Sequence, residues 1–212
     1  HYSKNIFVVH NGIIENHSDL KAYLKAEGIK FSTQTDTEVI AHLIRIFTEK
    51  GQSFEKAVFN SIKKLKGAYA LGIVDKKNPE QIIGVRNQSP LVLGKGFQEN
   101  FIASDVMALA PVTNKFVYLD DGQVALLTNQ KAVVKNISSK VVRTKTYEVD
   151  SNAYTNDMAG YSHFMEKEIF EQPEAVKKSI EGRLTKHDTQ EGIFGAGFEE
   201  AVNNITNIQI VA

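Results

Sequence analysis

Apolar residues at helical spacing dominate the first third of the chain, after one short apolar run. Residues 6–9 form that run, and its length predicts a strand. Three later segments place apolar residues three and four positions apart, which predicts helices over residues 18–27, 37–49 and 54–65. The beginning of the chain is therefore expected to form one strand followed by three amphipathic helices.

Short apolar runs of strand length replace the helical spacing from Gly67 onward. They occupy residues 68–74, 82–85, 90–93, 101–103, 116–119 and 124–127. Aspartate and glycine tolerate the positive φ angles of tight turns, so Asp120-Asp121-Gly122 predicts a hairpin between the last two runs. Consecutive strands with tight turns predict antiparallel pairing, and helices packed on a sheet face give an α+β layered fold.

The pattern divides the chain into three parts. Residues 1–150 carry the strands and helices described above, and residues 151–173 are polar and glycine-containing, which predicts an interdomain linker. Residues 174–212 are expected to begin a second domain. Its predicted elements are helices over 174–183 and 199–203 and a buried strand over 208–212.

Asn11-Gly12 has two interpretations. The dipeptide is typical of a two-residue hairpin turn, although only two isoleucines follow it, which is short for a returning strand. Alternatively, the Asn11 carboxamide and the Gly12 backbone N–H together face a developing oxyanion, and glycine permits an approach that a side chain would block. Spacing alone favours the turn.

Thr35 and Glu38 have the spacing of a capping box, in which Thr35 is the N-cap of the second helix and Glu38 reaches back to it. Asp36, in the first turn, is then free to hold an ammonium group, with the helix dipole stabilising its carboxylate. From these residues alone the cap is the favoured interpretation, and a binding carboxylate is the alternative.

Composition narrows the classes of function. Lysine and arginine, 25 together, balance 25 aspartates and glutamates, and no basic stripe with interleaved aromatic residues is present. We therefore expect no nucleic-acid partner. No apolar run of about 18 residues could span a bilayer, so we expect no membrane partner and a cytoplasmic location.

The sequence gives little support for a metal site or for thiol chemistry. The six histidines show no i, i+4 pair and no clustered carboxylates at ligand spacing, so we expect no metal. The sequence contains no cysteine, which excludes disulfides, thiolate metal ligands and thiol catalysis within these 212 residues.

Several segments, read in order and spacing, resemble one family. They are VVHNGIIEN (8–16), TDTEVI (35–40), LKGAY (65–69), SPLV (89–92), FIASD (101–105) and HFMEKEIFEQP (163–173). Together they resemble the glutaminase domain of the glutamine–fructose-6-phosphate aminotransferase (isomerizing) family and the segment that joins it to a sugar isomerase domain. Related amidotransferases share the asparagine–glycine and aspartate elements, whereas the last segment is more specific.

The resemblance implies an N-terminal-nucleophile (Ntn) fold, an αββα sandwich of two antiparallel sheets between helices, here incomplete. In that family an N-terminal cysteine attacks the side-chain amide of L-glutamine, with its own α-amino group as base. The ammonia passes to a sugar isomerase (SIS) domain, where fructose 6-phosphate becomes glucosamine 6-phosphate. By the matching motifs, Asn11 and Gly12 form the oxyanion hole and Asp36 binds the glutamine α-amino group. The resemblance implies no cofactor, and a homodimer for the full-length protein.

The chain departs from the family pattern at the nucleophile. With no cysteine, the nucleophile and its amino group are absent, as is the arginine motif that grips the glutamine carboxylate. We interpret residues 1–150 as an N-terminally truncated glutamine amidotransferase domain and residues 174–212 as the start of the SIS domain, in a fragment that is itself inactive. Two alternatives remain. One is an amidophosphoribosyltransferase-type glutaminase fragment, which the segment ending at Pro173 disfavours, and the other is a non-catalytic glutamine-binding module.

Overall fold

The protein is described by a computed structural model that covers residues 1–149, 158–184, 195 and 205–207. The chain divides into two compact units, His1–Thr155 and Asn156–Ala212. Among the described residues, no helix has both the length and the apolar character needed to cross a membrane.

The first unit contains helices in its N-terminal part and strands that are distributed along its whole sequence. Its helices are α1 (His17–Ala26), α2 (Thr37–Glu49) and α3 (Phe54–Ile62). Its strands are β1 (Tyr2–Ser3), β2 (Ile6–Gly12), β3 (Tyr69–Asp75), β4 (Asn78–Asn87), β5 (Val92–Lys95), β6 (Asn100–Ala103), β7 (Lys115–Tyr118), β8 (Gln123–Leu127), β9 (Ala132–Asn136) and β10 (Tyr147–Glu148). The three predicted helices are therefore confirmed.

The strands form two antiparallel sheets that lie face to face. One sheet has six strands in the order β1-β2-β3-β4-β8-β9, and the other has four in the order β10-β7-β5-β6. A large apolar core lies between the helices and the six-stranded sheet and includes Leu24, Ile44 and Leu71. A second core between the two sheets includes Leu93 and Leu127. The predicted α+β layering with antiparallel sheets is confirmed.

Strand β2 positions the candidate site because its two faces differ. Ile6 and Val8 are buried in the core under the helices. Phe7 and Val9 point to the other face and are 44% and 71% exposed. This alternation is the period-2 pattern of a strand with one covered face.

The predicted hairpin at Asp120-Asp121-Gly122 is wrong about pairing, although a tight turn is present. Gly122 has the positive φ angle of 74° that the motif suggested. However, β7 belongs to the four-stranded sheet, and β8 pairs with β4 and β9 in the six-stranded sheet. The turn therefore carries the chain from one sheet to the other. The local sequence determines that the chain turns here, but it does not determine which strands β8 pairs with.

The second unit contains α4 (Phe164–Ile180), with Pro173 inside the helix. The helix predicted from residue 174 thus begins at Phe164, and the second half of the predicted linker is helical. Proline removes one backbone hydrogen bond of the helix without ending it here. The elements predicted over 199–203 and 208–212 lie outside the described residues, and the assignment of residues 174–212 to an SIS domain stays a prediction.

Candidate active site

Asn11 and Gly12 lie at the end of β2 and still pair with β3. Asn11 is opposite Ala70 and Gly12 is opposite Tyr69. The pairing runs on beyond Gly12, because the Ile13 amide donates to the Ala68 carbonyl over 2.8 Å. The hairpin turn that spacing favoured is therefore wrong, since a strand with a continuing partner cannot reverse at this dipeptide.

Gly12 is a position that only glycine can occupy without a shift of the backbone. Its φ angle is 131°, and a Cβ built on it would lie 2.1 Å from the Ala68 carbonyl oxygen. The facing Gly67 has a φ angle of 121°, and its Cβ would lie 2.2 Å from the Ile13 carbonyl oxygen. The two chains approach so closely here that neither tolerates a side chain.

The alternation of the antiparallel ladder gives the direction of the Gly12 amide. The Val8 N–H donates to the His1 carbonyl on the outer side of β2. Amides two and four residues further along point to the same side, so the Gly12 N–H faces outward from β3. Residues 1–3 pair with β2 at Ile6, Phe7 and Val8, so the Gly12 amide lies past that pairing. The Asn11 side chain shares the exposed face of Val9.

Asp36 is the N-cap of α2, and the predicted capping box is wrong. Asp36 has helical backbone angles, and no side chain caps the helix. Glu38 does not reach back to Thr35 but accepts hydrogen bonds from Ser32 and Thr33. Its carboxylate turns toward these donors because they offer both backbone and hydroxyl hydrogens in the loop before the helix.

The Asp36 side chain contacts residues at the end of β2 directly. Its Oδ2 accepts a hydrogen bond from the Ile14 amide over 2.8 Å. Its Oδ1 lies 3.9 Å from Nδ1 of His10. Residues that are distant in sequence are thereby brought together, so that the three predicted site residues Asn11, Gly12 and Asp36 occupy one corner of the first unit.

His10 is a component of this corner that the sequence analysis did not identify. Its side chain is 2% exposed, and Nδ1 lies 3.0 Å from the Thr37 hydroxyl, which in turn lies 3.4 Å from Asp36 Oδ1. A carboxylate only accepts, so the hydroxyl donates to Asp36 and accepts from His10. Burial lowers the pKa of the imidazole, and the Asp36 carboxylate opposes this. The sequence signal that could have identified His10 is its alternation with Ile6 and Val8, which places it on the buried face of β2.

The corner combines two kinds of chemistry. An outward-facing amide and a carboxamide can donate to a developing negative charge. A carboxylate at a helix N-terminus, stabilised by the helix dipole, can hold a cation. Within the described residues, no group of three or more histidine, aspartate or glutamate side chains could hold a metal ion.

The chain matches the family described as the glutamine amidotransferase domain over residues 1–111. It is 40% identical over all 212 residues to the glutamine–fructose-6-phosphate aminotransferase [isomerizing] of Escherichia coli K12. It is 41% identical over the same length to the protein of that name from Vibrio vulnificus. In both cases it spans 35% of the length of the relative.

Two solved structures share the fold. Glutamine phosphoribosylpyrophosphate (PRPP) amidotransferase from B. subtilis matches with a TM-score of 0.56 and 27% identity, over 68% of this chain and 32% of that one. A structure described as the allosteric regulatory enzyme of purine biosynthesis matches with a TM-score of 0.54 and 27% identity, over 65% of this chain and 30% of that one. The Ntn amidotransferase fold expected from the resemblance is thus confirmed.

Proposed function

This chain belongs to the glutamine amidotransferase family, and we propose that Asn11, Gly12 and Asp36 form part of a site that hydrolyses glutamine. In this site, attack on the side-chain amide of glutamine creates an oxyanion, to which the Asn11 carboxamide and the Gly12 amide donate. Asp36 holds the α-ammonium group of the same substrate. The oxyanion donors act in the chemical step, and Asp36 acts in binding.

The single observation that carries this proposal is the hydrogen bond from the Ile14 amide to Asp36 Oδ2, 2.8 Å long. It places a carboxylate beside the strand end that presents the oxyanion donors. A glutamine molecule has its α-ammonium group and its side-chain amide at opposite ends of a short chain. One substrate can therefore reach both groups when they lie at the same corner.

We propose that the nucleophile comes from outside these residues. The sequence contains no cysteine, and the family resemblance implies an N-terminal cysteine as the attacking group. We therefore propose that the 212 residues supply the oxyanion hole and the ammonium-binding carboxylate. Alone they are inactive.

We propose that the ammonia is used to convert fructose 6-phosphate to glucosamine 6-phosphate in the full-length protein. The support is the 40% identity to an aminotransferase of that name over the whole chain, including the second unit. The likeness to PRPP amidotransferase covers only 68% of the chain at lower identity. A homodimeric, cytoplasmic enzyme with an SIS domain follows from the same resemblance.

The test is an assay of the full-length protein with glutamine and either acceptor. We expect equal amounts of glutamate and glucosamine 6-phosphate when fructose 6-phosphate is supplied. Formation of phosphoribosylamine from PRPP instead would favour the amidophosphoribosyltransferase alternative. Glutamine binding measured by calorimetry, without any hydrolysis, would favour the non-catalytic binding module and overturn the proposed glutaminase.

A further inference from the structure

A buried relay of polar side chains connects the six-stranded sheet to α2, outside the residues assigned above. The Ser3 hydroxyl lies 2.8 Å from His42 Nδ1, and His42 Nε2 lies 3.3 Å from Glu38 Oε1. These three residues are 4%, 6% and 3% exposed. Arg45 donates to the Ser3 oxygen over 3.4 Å.

The donors in this relay can be assigned one after another. An ionised Glu38 only accepts, so His42 Nε2 carries a proton and donates to it. Burial lowers the pKa of His42, against the opposing effect of Glu38, so the imidazole is neutral and Nδ1 accepts from the Ser3 hydroxyl. The Ser3 oxygen then accepts from Arg45. Every polar atom of the relay has a partner of the right kind.

This arrangement has the order of a serine hydrolase triad but not its accessibility. A nucleophilic serine must meet a substrate, whereas Ser3 is buried beneath the helices and its oxygen accepts from Arg45. The relay is therefore a means of holding structure. The question is which part of the molecule it holds.

Glu38 connects the relay to the loop that leads into Asp36. Its carboxylate accepts from the Ser32 amide and hydroxyl at 2.8 and 3.0 Å, and from the Thr33 amide and hydroxyl at 2.8 and 2.6 Å. The ring of Phe31, just before these residues, packs edge-on against His42 with 4.8 Å between ring centroids. The loop before the N-cap is thus fixed by side chains of the helix that it precedes.

We propose that Glu38 and His42 are positioning residues for Asp36: by fixing the loop at Ser32 and Thr33 they hold the Asp36 carboxylate beside Ile14, and so they set glutamine affinity without touching the substrate. This inference rests on the proposed role of Asp36. Since neither side chain reaches the reacting amide, the chemical step is unaffected.

The main test is the Glu38→Gln variant of the full-length protein. The glutamine side chain introduced at position 38 has the same shape as glutamate. However, its NH2 group cannot accept a hydrogen bond, so it faces loop donors without pairing with them. We expect KM for glutamine to rise about tenfold, the effect of losing hydrogen bonds to a buried charge, while kcat changes less than about twofold. Thr33→Val, in the exposed loop, removes one of the four bonds and should raise KM by about two- to fivefold. The Thr33→Val variant still tests the proposal if Glu38→Gln does not fold.

Ser61→Ala is the matched control. Ser61 is buried in α3, and its hydroxyl donates to the Ala57 carbonyl over 2.8 Å, so its loss lowers stability without reaching the loop. We expect its KM for glutamine to equal that of the unchanged protein. A Glu38→Gln or Thr33→Val variant that loses stability as Ser61→Ala does, with KM unchanged, would overturn the proposal.

Amide hydrogen exchange separates this inference from the proposed function. The Ile14 amide donates to Asp36, so a displaced Asp36 should expose it and speed its exchange at least about fivefold in Glu38→Gln, but not in Ser61→Ala. If the full-length protein does not hydrolyse glutamine, the proposed function fails, and Ile14 exchange still decides whether the relay positions Asp36. Unchanged exchange at Ile14 overturns the inference in either case.

Discussion

The backbone amide of Ile14 donates to Oδ2 of Asp36 over 2.8 Å and fastens the end of β2 to the start of α2. One carboxylate oxygen is thereby used for structure, and Oδ1 remains near the His10 and Thr37 side chains at the site. A single hydrogen bond therefore joins the proposed oxyanion donors to the proposed ammonium-binding group. The structural role of Asp36 and its proposed binding role can be separated by substitution.

Asp36→Asn should keep the first function and lose the second. The amide oxygen can still accept from Ile14, but the negative charge that holds an ammonium group is gone. We expect KM for glutamine to rise about 10- to 100-fold, the range for a lost charged hydrogen bond, with little change in thermal stability. Asp36→Ala should show the same KM effect and also destabilise the fold by about 1–3 kcal/mol. A normal KM in Asp36→Asn would exclude the ammonium-binding role.

Asn11→Ala should lower kcat for glutaminase by about a hundredfold or more in the full-length protein, because one oxyanion donor is lost. Asn11 is exposed, so stability should hardly change. Asn129→Ala, at an exposed turn position away from the site, is the control and should have full activity. The measurement is glutamate release at saturating glutamine. Full-rate hydrolysis by Asn11→Ala would show that the assignment is wrong.

Gly12→Ala should destabilise the first unit by several kcal/mol, because its Cβ would lie 2.1 Å from the Ala68 carbonyl oxygen, which belongs to the backbone and has no alternative rotamer. Gly28→Ala is the control. Its φ angle of 82° is similarly unfavourable, but no atom lies within 4 Å of the added Cβ, so only about 1 kcal/mol should be lost. Urea denaturation compares the two variants. Equal losses would mean that backbone angle alone, and not the close approach, requires glycine at position 12.

The sequence predicts the helices well because their stability depends on local periodicity. Residues 37–49 carry one apolar face, and α2 spans Thr37–Glu49. Strand partners depend on contacts distant in the chain, and for this reason the turn at Gly122 was assigned to a hairpin when it connects two sheets. The same limit applies to Asn11-Gly12, where a turn-forming dipeptide lies within a strand because Ala70 and Tyr69 pair with it.

For the candidate site too, the sequence predicted some residues and missed others. The resemblance predicted Asn11, Gly12 and Asp36 as site residues, and the structure places these residues at one corner. Spacing gave Glu38 the wrong partner, Thr35, and neither spacing nor resemblance indicated a role for His10. Their positions follow from packing between β2, α2 and the loop before α2, which no short sequence window contains. A capping box is a local rule, and it failed at Glu38 because the loop offered more donors than Thr35 could.

Glu38 should make the stability of the first unit depend on acid pH. Burial alone would raise its pKa, but hydrogen bonds from Ser32 and Thr33 lower it from 4.5 to about 2. Since the folded protein holds the carboxylate more strongly ionised than the unfolded chain, Glu38 contributes on the order of 3 kcal/mol above about pH 5. This contribution is lost as pH falls from about 4.5 toward 2, because the unfolded chain takes up the proton first.

Urea denaturation of the unchanged protein and of Glu38→Gln, from pH 7 to pH 3, measures this contribution. The variant has no carboxyl group at position 38, so we expect the difference in unfolding free energy between the two proteins to shrink as pH falls below about 4.5. Ser61→Ala removes a buried group that does not titrate, and its difference from the unchanged protein should stay constant over the same range. A Glu38→Gln difference that is also constant would mean that the four loop hydrogen bonds do not depend on the ionised form. The relay would then hold the loop by shape alone.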